Sequence, residues 1–224
     1  MFTTAPNAPS MPPSSTPPLR IAVLCGGPSQ ERGISLNSAR SVIDHLSSDA
    51  VDVTPFYVDP HLNFYELGRA QIYSNTPSDF DFKLADTHQR LDEDGFCQRL
   101  KSFDLVFPAI HGAFGEDGTL QELLEDYDIP YVGSPSGTCR KMFNKDRAAA
   151  LLRKAGFPTL PSATLRQGNP YNRDTIEAFF RDNHLTRAII KPSAGGSSIG
   201  VFSVSSAEEA IDKLEQHIFA KHID

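Results

Sequence analysis

Two short apolar runs, each ending in a glycine-bearing loop, constrain this chain more than any other feature. IAVLC (Ile21 to Cys25) runs into Gly26-Gly27, and DLVFPAI (Asp104 to Ile110) runs into His111-Gly112. A short apolar run closed by glycine predicts a buried strand feeding a loop. Between them, Leu36, Ala39, Ile43 and Leu46 recur on one face of a helix over Ser35 to Leu46. VDVTPFYVD (Val51 to Asp59) alternates as a second strand. Strand, loop, helix and strand in this order predict an α/β layer built on a parallel sheet.

The pattern weakens between Pro60 and Ser102, where FDFKLADTHQRLDEDGF is read as a hairpin turning near Asp94-Gly95. Beyond Ile110, the loop Gly112 to Gly118 leads into a helix carrying Leu120, Leu123 and Leu124, and IPYVG (Ile129 to Gly133) predicts another short strand. A helix over Lys145 to Ala155 is closed by Gly156 and Pro158. A helix around Asp174 to Asp182, a strand Arg187 to Lys191, a loop Ser193 to Gly200 and a strand VFSV follow. The last helix opens on Ser206 and Glu209, spaced as a capping box.

With 21 basic and 28 acidic residues the formal charge is −7 and the pI near 5.5, which argues against a nucleic-acid or anionic-membrane partner. Cys25, Cys97 and Cys139 form no CxxC pair and no zinc spacing, so a reducing cytoplasm is the natural setting. Arg140 and Lys141 beside Cys139 are the type of neighbours that favour a thiolate, although an unreactive thiol is the preferred reading. Residues 1–19, rich in Pro, Ser and Thr, lack the apolar core of a signal peptide and read as a disordered tail.

Chemistry-bearing residues gather in three places. The loop Gly195-Gly196-Ser197-Ser198-Ile199-Gly200, with Lys191 just before it, suits a phosphate nest: small residues let backbone N–H groups approach an anion, and the lysine adds a point charge. The same residues also suit a plain hairpin turn. Neither GxxxxGK[ST] nor GxGxxG is present. Glu31 and Arg32, in the loop after the first strand, and His111, at the end of a later one, lie where α/β sheets present ligands. Taken singly, each is more often structural than functional. Glu116 and Asp117 are read as first-turn acids that offset a helix dipole and set their loop, not as metal ligands.

Three ordered blocks, HGxxGEDGxxQ from His111, PYxGS from Pro130 and KPxxxGSSxG from Lys191, make the chain similar to the D-alanine–D-alanine ligases of the ATP-grasp superfamily. IAVLCGGPSQERGISLNSARSV and NKDRAAALLRKAGFPTLPS fit the same pattern, and the likeness runs from about Ile21 to Val204 except between Asp59 and Ser102. The resemblance implies an N-terminal parallel-sheet, Rossmann-like domain over 20–143 that binds the first substrate, then an incomplete ATP-grasp α+β domain over 144–224. It implies ATP-dependent joining of two D-alanines through an acyl phosphate, for peptidoglycan precursor synthesis in the cytoplasm.

By the same resemblance Glu31 would bind the ammonium of the first D-alanine and His111 would face its carboxylate. Ser197 would join the hydrogen-bond network that fixes Glu31. Lys145 and Lys191 would hold ATP phosphates, with Gly195, Gly196, Ser197 and Ser198 closing over them. The family is commonly dimeric and uses Mg2+ or Mn2+. There are two departures from its pattern: Asn144 stands where Asp is usual, and Ala194-Gly195 replace larger, often charged residues. No candidate metal ligands follow the last helix, so the expectation is a fragment, a split gene product or an early-ended reading frame with little ligase activity alone. The alternatives are a non-catalytic binding module completed by a C-terminal polypeptide, or a ligase for another carboxylate and amine.

Overall fold

The computed structural model describes residues 17–84 and 90–219. Most of the expected N-terminal tail, residues 1–16, lies outside that range. Leu19, its last residue, already belongs to the first strand.

β1 (Leu19–Gly26) pairs in parallel with β2 (Val51–Val58), and on its other side with β5 (Leu105–Pro108). β3 (Phe64–Glu66) and β4 (Arg90–Leu91) extend the sheet antiparallel, giving the order β4-β3-β2-β1-β5. The sheet is therefore mixed, with a parallel centre. β1 is buried on both faces, which is why its apolar run does not alternate with polar residues. Ile21, Val23 and Cys25 pack with Leu36, Ala39 and Ile43 of α1 (Arg32–Leu46), while Ala22 and Leu24 join the opposite cluster with Phe96 and Leu124. Burying one such side chain contributes roughly 1.5–3 kcal/mol.

Among its described residues, the region whose pattern is weak holds three helices: α2 (Arg69–Ser74), α3 (Pro77–Leu84) and α4 (Glu93–Leu100). The hairpin expected at Asp94-Gly95 is instead the first turn of α4. The Asp92 carboxylate accepts the Gly95 N–H at 2.8 Å and caps the helix, which an Asp at that position does as readily as it makes a turn. Phe96 of α4 then stacks on Phe64 (centroids 4.1 Å apart) and meets Phe56 edge-on at 5.9 Å, docking the helix against the sheet.

The helix after Gly118 is α5 (Thr119–Asp126), so Glu116 and Asp117 precede it and do not lie in its first turn. The strand expected at Ile129 to Gly133 is reduced to one parallel bridge between Val106 and Tyr131. Pro130 has no N–H to extend the ladder, and Gly133 turns away at φ +145°. A helix that sequence reasoning missed, α6 (Ser136–Phe143), follows; Glu125 accepts the Ser136 N–H at 2.8 Å and ties down its start.

α7 (Lys145–Lys154) ends before Gly156, at φ +84°. α8 (Asn172–Asp182) and α9 (Ala207–Lys213) pack on a two-stranded antiparallel sheet of β6 (Ala188–Ile190) and β7 (Phe202–Val204). At α9 only half of the capping box forms: Ser206 accepts the Glu209 N–H, but Glu209 reaches Ser205 instead of Ser206. A wide turn with π-helical bonding, Leu214–Ile218, ends the described chain. This second core, around Ile176, Val204, Ile211 and Leu214, is separate from the clusters of the larger sheet. α7 buries none of its residues, and Leu151, Leu152, Phe157, Leu160 and Ile189 are exposed. Among the described residues no helix is long and apolar enough to cross a membrane.

Candidate functional site

The connection from β1 leads through α1 to β2 on one side, whereas β5 lies on the other side of β1. The chain therefore opens a crevice between the loops that follow β1 and β5, at the carboxyl ends of parallel strands. The loop after β1 carries Ser29 and Glu31; the loop after β5 carries His111 and Gly112.

Serine hydroxyls stitch the two loops together. Ser35 accepts the Gly26 N–H at 2.8 Å and donates to the Ala109 carbonyl at 2.7 Å. Ser29 donates to the His111 carbonyl at 2.7 Å and accepts the Glu31 N–H at 3.0 Å. Ser38 lies 2.9 Å from His111 Nε2, and Glu116 accepts the Gly112 N–H at 2.8 Å while its other oxygen stands 3.9 Å from His111 Nδ1. Asp117 accepts the Phe114 and Thr119 N–H groups, so both acids set the loop.

Glu31 is only 5% exposed and sits at the N-terminus of α1, where the helix dipole favours a carboxylate. Gly112 gives it room: a Cβ there would lie 2.8 Å from Glu31 Oε2. From the far side the loop 195–198 closes in. The Ser197 hydroxyl donates to Glu31 Oε1, and Gly196 approaches so closely that a Cβ would come within 3.2 Å of the same oxygen. Ser197 and Ser198 both take positive φ, 51° and 59°, which disfavours a side chain and which the bond to Glu31 offsets.

Behind that loop, the half-buried Lys145 donates its ammonium to the Gly195 carbonyl at 2.7 Å, and its backbone N–H to Ser193 at 2.8 Å. Burial and then the nearby Lys191 charge lower its pKa from the ordinary lysine value, with Glu31 opposing. Lys145 thus feels both the Lys191 cation and the Glu31 carboxylate. A cavity of about 1280 Å³ opens beside Lys145, Lys191 and Ser193 and runs between Phe179, Phe180 and Leu214. Asn144 caps α7 by accepting the Arg147 N–H at 3.0 Å, the bond an Asp would also make.

The structure brings Glu31, Gly196 and Ser197 into contact, and joins Lys145 to Gly195. Among the described residues, Lys191 reaches the cluster through its charge on Lys145, and His111 connects to Glu31 through Ser29. Cys139 lies elsewhere: burial raises its thiol pKa, the reverse of a lysine-activated thiolate, and its neighbour Arg140 pairs with Glu122 at 2.7 Å. Ser29, Ser35, Ser38 and Gly112 were missed from the sequence. Glu31, Ser35 and Ser38 are spaced i, i+4, i+7, a polar stripe on one helix face that could have disclosed two of them.

A family model described as D-ala D-ala ligase N-terminus matches residues 20–134. The chain is 33% identical over 217 residues to a D-alanine–D-alanine ligase of Tropheryma whipplei (strain Twist), covering 88% of this chain and 60% of that protein. It is 30% identical over 204 residues to D-alanine–D-alanine ligase A of Escherichia coli (strain K12), covering 85% and 55%. Among solved structures, the D-alanine-D-alanine ligase from Coxiella burnetii superposes with a TM-score of 0.76 at 26% identity, over 92% of this chain and 61% of that one. The VanG D-Ala:D-Ser ligase from Enterococcus faecalis gives 0.65 at 27%, over 89% and 59%. The chain thus spans 55% to 61% of the length of these relatives.

Proposed function

The chain belongs to the D-ala D-ala ligase N-terminus family, and on that premise we propose that it supplies the first-amino-acid pocket and the phosphate loop of an ATP-dependent ligase joining two D-alanines. The observation that carries this reading is the buried Glu31 carboxylate held between Gly112 and Ser197, with the Lys145 ammonium within its field. Glu31 takes the substrate ammonium and His111 faces its carboxylate. Lys145 and Lys191, which line the cavity, hold the nucleotide phosphates there, and the backbone donors of the loop Gly195 to Ser198 close over them. Transfer of a phosphoryl group to a carboxylate brings anions together, so fixed cations and N–H donors must offset the charge that gathers. The names of both the D-Ala-D-Ala and the D-Ala:D-Ser relatives support D-alanine as one substrate.

We assign residues 20–143 to the first-substrate domain and those from 144 onward to the phosphate-holding domain, a division that the two separate apolar cores support. The family implies Mg2+, but the described residues contain no group of three or more His, Cys, Asp or Glu able to hold a metal ion. A homodimer and a cytoplasmic location also follow from the resemblance; analytical ultracentrifugation decides the first.

Titration calorimetry with D-alanine and with ATP tests the assignment. Binding of D-alanine that is lost in Glu31→Gln, and of ATP that is lost in Lys145→Ala, is expected. A folded wild-type chain that binds neither overturns the reading. A second reading is a module completed by a separate polypeptide. The exposed Leu151, Leu152, Phe157, Leu160 and Ile189 favour it. D-alanine-dependent phosphate release only after mixing with the C-terminal part of a related ligase would support it, and release by this chain alone would refute it.

A further inference from the structure

The geometry points to Ser38 as the positioning residue that fixes the tautomer of His111 and so the hydrogen it offers to a ligand. This inference rests on the assignment of His111 to the substrate carboxylate. A neutral imidazole carries one N–H, and the hydrogen bond made by one ring nitrogen decides which. Ser38 Oγ stands 2.9 Å from Nε2, and it is the one hydrogen-bond partner recorded for that ring nitrogen among the described residues. The opposite nitrogen, Nδ1, faces the Glu116 carboxylate at 3.9 Å. That distance is too long for a hydrogen bond but short enough for the carboxylate charge to favour a proton on Nδ1 over a lone pair.

Glu116 cannot swing away freely, because its other oxygen holds the Gly112 N–H at 2.8 Å. Ser29 holds the His111 carbonyl at 2.7 Å, so the backbone of the histidine is pinned as well. Ring and backbone are thereby fixed from α1 and from both loops. The Ser38 hydroxyl donates to Nε2, and Nδ1–H is left as the donor available to a carboxylate oxygen. Ser38 touches no substrate in this scheme and acts only through the ring.

Long-range proton–nitrogen NMR on chain labelled with 15N-histidine tests this, with the His111 signals assigned by their loss in His111→Gln. The expected result for the ligand-free wild-type chain above the histidine titration is the Nδ1–H pattern. In Ser38→Ala the pattern shifts toward Nε2–H, and Ser38→Thr, which keeps a hydroxyl, restores it. An Nε2–H pattern in the wild-type chain overturns the inference without any variant, and so does an unchanged pattern in Ser38→Ala. D-alanine binding is expected to weaken about three- to tenfold in Ser38→Ala, the range of one net hydrogen bond, and to recover in Ser38→Thr. Failure of the wild-type chain to bind D-alanine would count against the proposed function, whereas the tautomer result decides the role of Ser38 independently.

Discussion

Gly112→Ala adds one methyl group at the point where the two halves of the crevice meet. The residue has φ +75°, and the added Cβ would lie 2.8 Å from Glu31 Oε2, 2.8 Å from Ser29 Oγ and 2.9 Å from Ser29 Cβ. Holding an L-residue in the left-handed region costs roughly 1–2 kcal/mol. Overpacking a well-filled site costs about 1–3 kcal/mol more. If the site stays rigid, the sum is about 2–5 kcal/mol, a large share of the roughly 5–15 kcal/mol that separates a folded domain from its unfolded chain. If instead Glu31 rotates away, the backbone term and the Ser29 contacts remain, and part of the damage moves to D-alanine binding.

Urea unfolding and calorimetry together distinguish these outcomes. A midpoint lowered by about 1 M or more is expected in the rigid case, taking a urea slope of about 2 kcal/mol/M. Gly137→Ala is the control, because nothing lies within 4 Å of its added Cβ and it sits within α6. That variant should gain about 0.5–1 kcal/mol. A Gly112→Ala chain with unchanged unfolding midpoint and unchanged D-alanine affinity would refute the claim that Gly112 makes room for the Glu31 carboxylate.

Three further expectations follow from the same contacts. Lys145 has a folded pKa below its unfolded value, so the folded state binds fewer protons in the interval between them and stability rises as pH climbs through it; a bound phosphate anion reverses the shift. Calorimetry of ATP at alkaline pH in buffers of different ionisation enthalpy should therefore show proton uptake, which Lys145→Ala abolishes. Glu66, held below its ordinary 4.5 mainly by hydrogen bonds from Arg99 at 2.6 and 2.8 Å, contributes stability above that value and loses it as pH falls through the folded pKa. Both partners are about one-third exposed, so Glu66→Gln should cost only about 0.5–1 kcal/mol at neutral pH, with the difference from wild type vanishing in acid unfolding curves. Ser35→Ala leaves the Gly26 N–H and the Ala109 carbonyl without their buried partner and should cost about 1–3 kcal/mol for each group, whereas a loss under about 0.5 kcal/mol in urea titration would show that the two loops do not depend on it.

What the sequence determined by itself was local or periodic. β1 is legible because a strand buried on both faces must be apolar throughout, and β5 because its run packs Val106 into one core and Leu105 and Phe107, partly buried, against the other; the glycines after them mark turns that need positive φ. α1 and α7 are legible from their periodicity and their ends, and the family from three blocks whose order and spacing are specific. Local signals misled where one residue type serves two purposes. Asp92 to Gly95 has the composition of a turn, and only the docking of Phe96 on Phe64 and Phe56 makes it the start of a helix. The site itself was decided by tertiary structure. Glu31 and Ser197 are 166 residues apart, and their meeting depends on the second core holding its loop against the crevice of the first sheet. The serines that position Glu31 and His111 are ordinary surface residue types in the sequence. They became functional candidates only when the reversal of strand order beside β1 placed two loops within hydrogen-bond reach, because contact between distant segments is set by how elements pack and not by any one segment's own preference.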